Sequence, residues 1–409
     1  MKSQDTSIVL LLVFCVLELV SSISYFWGIH LVFICWLIYS LIAYGDNAIH
    51  IFSNLKYKLL LGFYIFYFFS NLFSSGFELA FARTIALLEI FSPVLMYDFY
   101  KINRWNNAKY PIWILISVVI LNMSLSFSMI EFMGKSGLRD TIQADSENIF
   151  KGALAIVTSI AILVPTAFYI LLHPDRISPK YKYLKIVFLI IFIFYGILLL
   201  CRALFMTSIL TAVIGCAIAI IYGTRRWIMK GCICIALISL GFIAYFDEIV
   251  DYSDSFGVSS QLFITPKLYE IKYVLEGQSS NAVDISSRNS LAESSFNTFK
   301  DNPIFGITHK ATDFEETAEL GVGNHTEWLD DLALYGIFAV LIFAFLYIAA
   351  KEQIRQSKYS LSLILFVFLG FNNPILNFQV IFTVYLLIPI FLEYIKKNYF
   401  YVGNRSRCI

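Results

Sequence analysis

Long apolar runs alternate with short polar connections along most of this 409-residue chain. The runs fall near 8–26, 29–45, 57–75, 77–98, 111–131, 151–172, 183–201, 203–223, 231–246, 333–350, 359–371 and 375–394. Most approach the ~20 residues a helix needs to cross a ~30 Å hydrocarbon layer at ~1.5 Å per residue. The pattern predicts an all-α, polytopic membrane protein: one membrane-embedded domain over 1–409 with about 12 transmembrane helices. The eleventh run is short, so a re-entrant or kinked element stays open there, and Asn372-Asn373-Pro374 supplies the turn that follows. No internal repeat recurs at a fixed period.

One stretch breaks the pattern. Residues 247–332 form a large polar loop inserted between the ninth and tenth runs. Within it, 284–299 carries helical spacing, with Leu291, Ala292, Ser295 and Phe299 following Arg288. Asp284 or a following serine is the expected cap, Asn302-Pro303 the stop, and Gly306 the turn. This predicts an amphipathic helix resting on the bilayer. A second helix is expected to start at an Asn324 cap and to run through Tyr335-Gly336 into the tenth span, with Glu327, Asp330 and Asp331 in its first turns.

Composition agrees with the pattern. Only 14% of residues are charged and 59% are hydrophobic, against roughly 25% charged in soluble domains. The net charge of +1 says little, but its distribution says more. Lys2 and six alternate segments, containing Lys56, Lys101, Arg176, Arg225, Lys351 and Lys396 among others, collect 20 of the 30 Lys and Arg residues. The positive-inside bias makes that side cytoplasmic and places both termini inside. The stretch Asp247–Asp331 holds 16 acids against five bases, and its simplest reading is a solvated acidic surface. No cleavable leader is expected, because the first apolar run is long enough to span. The seven cysteines avoid the polar loop and imply no disulfide framework.

Arg202 lies in Cys201-Arg202-Ala203, midway through an apolar stretch, 183–223, that is too long for one span. Two spans are therefore expected to meet there, with Arg202 at an outer hairpin; a snorkelling anchor is the plainer reading. Arg288 opens the loop helix and could equally form a surface ion pair with Asp284 or Glu293. His325 stands at a helix start, where an anion can be held; a solvated interfacial histidine is the alternative. Glu18, Arg83 and Glu89 fall inside apolar runs, where charge is costly and must at least be satisfied. His309 has no pattern around it.

The combination of Arg288, Asp301-Asn302-Pro303-Ile304-Phe305-Gly306, Asn324-His325-Thr326-Glu327-Trp328-Leu329 and Tyr335-Gly336 entering a span resembles the O-antigen ligase/polymerase family of bacterial envelope polysaccharide synthesis. Cys201-Arg202-Ala203 is similar too, although many members have a serine before the arginine. The motifs cover roughly 183–350. The resemblance implies a GT-C-like, metal-independent, inverting glycosyltransferase with no cofactor, whose donor is a glycan on undecaprenyl diphosphate. It implies His325 as the outer-loop catalytic residue, Arg202 and Arg288 on the diphosphate, and Asn324, Glu327 and Arg83 among the substrate contacts. It places the enzyme in the bacterial cytoplasmic (inner) membrane with its site on the outer face. A flippase and a chain-length regulator are its implied partners, and nucleic acid is not.

The residue types suit that chemistry. Breaking a sugar–diphosphate bond builds negative charge on the leaving group, and arginine binds phosphate oxygens in pairs and stays charged. The attacking hydroxyl must lose a proton, which a neutral imidazole can accept. Polymerase and ligase share this donor chemistry; the Phe- and Tyr-rich composition (39 Phe, 25 Tyr) favours the polymerase branch. A secondary transporter drawing on Glu18, Arg83 and Glu89 is the reading from a different class.

Overall fold

The computed structural model describes residues 2–19, 28–103, 113–125, 153–174, 182–203, 205–222, 283–311 and 314–394, with positions 177, 179, 229, 233 and 273. The ninth run, the polar segment 131–150 and residues 247–272 of the large loop lie outside the described residues. What is described is all-helical, without strands.

The helices are α1 (Lys2–Leu19), α2 (Gly28–Tyr44), α3 (Asp46–Phe52), α4 (Leu55–Ser75), α5 (Phe77–Asn103) and α6 (Trp113–Leu125). Then follow α7 (Ala153–Leu172), α8 (Lys182–Ala203) and α9 (Met206–Ile221). The large loop contributes α10 (Val283–Asp301), α11 (Phe314–Glu319) and α12 (Glu327–Tyr335). The chain continues with α13 (Ala339–Ser357), α14 (Leu361–Gly370) and α15 (Phe378–Tyr394).

Among the described residues, four stretches are long and apolar enough to cross a membrane: Phe77–Lys101, Ala155–Leu172, Lys182–Cys201 and Glu327–Ser357. A fifth arises if α2 and α3, bent by 118° at Gly45, count as one. The eleventh expected span is the 10-residue α14, roughly 15 Å long and too short to cross alone. The stretch 183–223 divides as expected, between Ala203 at the end of α8 and Met206 at the start of α9.

Antiparallel α4 and α5 give the bundle two polar ends. At one, Lys56 (1% exposed) contacts Asp98 at 2.6 Å and Glu352 at 2.5 Å, while Lys101 meets Asp98 at 2.6 Å. Charge counting assigned Lys56, Lys101 and the segment around Glu352 to one side, and packing gathers them there. Lys56 is nevertheless a buried ion-pair member rather than a solvated loop lysine. At the other end, α4 finishes at Ser75 and α5 starts at Phe77, and there the loop elements dock.

The expected continuous helix from Asn324 into the membrane is broken at Gly336. That residue takes φ 58°, and a 3-10 turn over Gly336–Phe338 joins α12 to α13. The physical cause is the Pro303–Thr308 turn, which is stitched to this break. Ile307 N–H donates to Ala333 O (3.1 Å), Thr308 N–H to Leu334 O (3.0 Å), and Ile337 N–H to Pro303 O (2.8 Å). Two glycines permit the approach. A Cβ on Gly306 (φ 62°) would stand 2.2 Å from Leu334 O, and one on Gly336 would stand 2.5 Å from Ile304 O. Phe305 and Phe338 then stack with Phe66 of α4, tying the turn to the bundle.

Candidate functional site

Helix α10 presents small hydroxyl residues to its neighbours, and these let another backbone come close. Ser294 Oγ donates to Gly321 O (2.9 Å), Thr298 Oγ1 donates to the same carbonyl (3.0 Å), and Gly323 N–H donates to Ser295 Oγ (2.8 Å). Gly323 is essential to this fit, because a Cβ there would stand 2.5 Å from Leu291 O. The loop therefore runs antiparallel to α10: Gly321 lies opposite Thr298, and Gly323 opposite Ser295 and Leu291. Two residues further along the loop, His325 comes within electrostatic reach of Arg288, nearer the α10 start.

Helix α10 is packed against the protein on one side. Its Ser295 and Thr298 face is buried against α12 and the preceding loop. The helix does stop at Asp301, and Gly306 N–H closes the Asn-Pro turn by donating to Asn302 O (3.0 Å).

Arg288 bears on His325 electrically. The half-buried ring has its pKa lowered from the ordinary 6.5, first by burial and then by the Arg288 guanidinium, while Asp330 opposes the shift. Burial and the guanidinium both favour the neutral imidazole, the form that can accept a proton. A guanidinium within electrostatic reach of an imidazole held toward its neutral form suits holding an anion and accepting a proton from a hydroxyl near it.

Asp330 fixes the base of this site. Ser295 Oγ donates to Asp330 Oδ1 (2.5 Å), and Asp330 Oδ2 accepts from Thr326 N–H (2.8 Å). That reach-back resembles a capping box, and Thr326, not Asn324, is the N-cap of α12. Asn324 instead adopts a left-handed φ of 56°, which asparagine tolerates better than most residues, and turns the chain immediately before His325.

Glu327 faces a different partner. Its Oε2 accepts from the backbone N–H of Ile375 and of Leu376 (2.8 Å to the latter). This pins the start of α12 to the turn after α14. Trp328 adds to the grip, donating Nε1–H to Val367 O (3.0 Å) and lying against Gly370. The same turn holds Asn373, whose Nδ2 donates to Thr207 Oγ1 of α9 (3.0 Å). Arg202 belongs to the last turn of α8, directly before this α9 start, and its side chain is outside those described. Hydrogen bonds from Asn373 to Thr207, and from Ile375 and Leu376 to Glu327, thus tie the start of α9 and the helix that follows His325 to one turn.

Arg83 stands apart. It donates to Asn71 Oδ1 (2.8 Å) and Ser75 Oγ (3.1 Å) and lies near Tyr67 and Tyr335. Tyr335 is at the far end of α12, roughly 12 Å along the axis from Glu327. The loop acids are not all solvated either: Asp330 and Asp331 are buried, and Asp331 Oδ2 has no hydrogen-bond partner among the described residues.

Two groups escaped sequence reasoning. Glu89 is satisfied by His30, Nδ1 to Oε1 at 2.7 Å, with Glu18 within electrostatic reach. His30 carries no sequence signal because it sits at the start of an apolar helix without neighbours of its kind. Asp98 did carry one, standing three residues before Lys101 on a helix.

No protein-family model matches the chain, and no curated protein matches it.

Proposed function

We propose that the protein is a polysaccharide polymerase of the O-antigen ligase/polymerase type: a multi-pass glycosyltransferase of the bacterial cytoplasmic membrane. It moves a growing glycan from undecaprenyl diphosphate to the next lipid-linked repeat unit. The observation that carries the reading is Arg288 within electrostatic reach of His325, whose neutral form it favours, on a loop platform held against apolar helices.

In this reading the chain crosses the membrane about 12 times with a GT-C-like arrangement, and the Lys56–Asp98–Glu352 end faces the cytoplasm with both termini. The α10–α12 platform faces the outer side. Arg288 binds the donor diphosphate, joined by Arg202 from the hairpin that Asn373 anchors. The acceptor hydroxyl attacks the anomeric carbon from the face opposite the diphosphate. Its proton passes to the His325 imidazole as the carbon–oxygen bond to the diphosphate breaks. The diphosphate leaves with the electron pair, stabilised by guanidinium groups, and configuration inverts. Glu327 and Asn324 shape the platform, the one by pinning α12 and the other by turning the loop.

A ligase acting on a lipid A-core acceptor would use the same donor site. Supplying purified protein with undecaprenyl-diphosphate repeat units alone separates the two, since only a polymerase then makes polymer. The part-buried His30–Glu89 pair favours one further reading, a transporter with a proton-carrying pair in its bundle. Replacing Glu89 would then abolish activity more completely than replacing Arg288.

A further inference from the structure

At the bundle end that holds Tyr394 and Lys185, two adjoining shallow hollows with room for about 50 and 20 Å³ run between α6, α7, α8 and α15. They share Phe188, Leu189 and Phe391, so they form one groove. Lys185, Phe188, Leu189 and Phe192 of α8 line it at helical spacing, which sets its direction along the helix axis. Lys185 stands at one end, and Phe192 lies roughly 10 Å deeper.

The deep part offers nothing polar. Its one hydroxyl, Thr166, donates to Ile162 O (2.9 Å) and accepts from Tyr359 (2.9 Å), so it is already satisfied. The mouth is different. Lys185 Nζ lies 5.3 Å from the centre of the Tyr394 ring, and Trp113 lines the same end. Lysine, tyrosine and tryptophan around the rim of an apolar groove match the headgroup level of a bilayer. Outside the groove, α8 exposes Leu184, Val187, Ile191 and Phe194, as a lipid-facing helix does.

Tyr394 follows Glu393, which accepts from Tyr97 (3.0 Å) beside the Lys56–Asp98–Glu352 cluster. The mouth is thus at the lysine-rich end of the bundle, far from the α10–α12 platform.

We propose that this groove is a binding site for one anionic glycerophospholipid, with an acyl chain laid along its apolar lining and the headgroup phosphate on Lys185. A cation at the mouth and a wholly apolar body are complementary to that amphiphile. The site stands apart from the proposed glycosyl-transfer site and does not depend on that reading.

The test is native mass spectrometry of the full chain in detergent, titrated separately with phosphatidylglycerol and phosphatidylcholine. One phosphatidylglycerol should be retained in preference to phosphatidylcholine, and Lys185→Gln should lower that preference roughly fivefold, as expected for one lysine near a phosphate. Lys185→Arg should keep it. Ala167→Phe, which fills the apolar part, should weaken both lipids. Excess inorganic phosphate should not displace the bound lipid. Equal retention of the two lipids by the wild type, or an unchanged preference in Lys185→Gln, would overturn the proposal. So would unchanged binding in Ala167→Phe.

Discussion

Ser295 and Asp330 are joined side chain to side chain at 2.5 Å, and this contact sets where Arg288 and His325 stand. Ser295 is two turns from Arg288 on α10, and Asp330 ties back to Thr326, the residue after His325. The same serine also accepts from Gly323 N–H. One small side chain therefore holds both halves of the site. Ser295→Ala leaves a buried carboxylate oxygen and a buried N–H unpaired, at roughly 1–3 kcal/mol each. The expected result is a lower unfolding temperature in detergent and a loss of activity larger than the loss of donor binding. Ser295→Thr is not a rescue, because α10 packs too tightly for an added methyl.

The Arg288–His325 coupling has a sign that can be measured. A positive guanidinium disfavours the imidazolium, so Arg288→Gln should raise the His325 pKa. Histidine NMR titration of the purified protein reads this directly, with no need for substrate. Under the proposed mechanism the wild-type rate should also rise with pH through the His325 pKa and then level off. An unmoved His325 midpoint in Arg288→Gln would show that the two residues do not interact.

The glycine pair of the turn should be intolerant. Gly306→Ala and Gly336→Ala each place a methyl against a carbonyl oxygen in a left-handed backbone. Strain alone costs about 1–3 kcal/mol at each position, and the clash adds to it. Both variants should melt earlier and show greater protease sensitivity between α10 and α13, whereas Gly62→Ala, which meets only Leu341 Cδ1 at 3.7 Å, should not.

Glu327→Ala should free the turn after α14 from α12. Two backbone N–H groups lose their acceptor, at about 1–3 kcal/mol each. Glu327→Gln keeps an acceptor oxygen and should restore much of the stability. If Glu327 touches substrate as well, the glutamine variant will fold like the wild type and still turn over slowly, and paired melting and rate measurements separate the two roles.

The sequence carried the helical class, the division of 183–223 and the end of α10, because helix length, charge sidedness and Asn-Pro punctuation are local signals. It also indicated Gly306 as a turn. The break at Gly336 was not legible, since α12 and α13 share one apolar pattern and the interruption comes from a turn 30 residues upstream. Thr326 rather than Asn324 caps α12 because Asp330, one turn ahead, competes for the capping role. The burial of Ser295 and Thr298 of α10 was not legible, since small hydroxyl residues carry no apolar signal, while here they give close backbone approach. Charge counting placed Lys56 and Lys351 on one side, but the burial of Lys56 against Glu352 is set by the packing of α4 on α13, which no local pattern encodes.

The central claim is that Arg288 and His325 act on one lipid-diphosphate donor. Purified wild-type protein, Arg288→Ala and His325→Ala should each be given undecaprenyl-diphosphate repeat units alone, with polymer followed by gel and lipid diphosphate release measured. The account predicts polymer from the wild type, a fall of at least about 100-fold in both variants and intact folding by melting temperature. No polymer from the wild type, or full turnover in either variant, would contradict it.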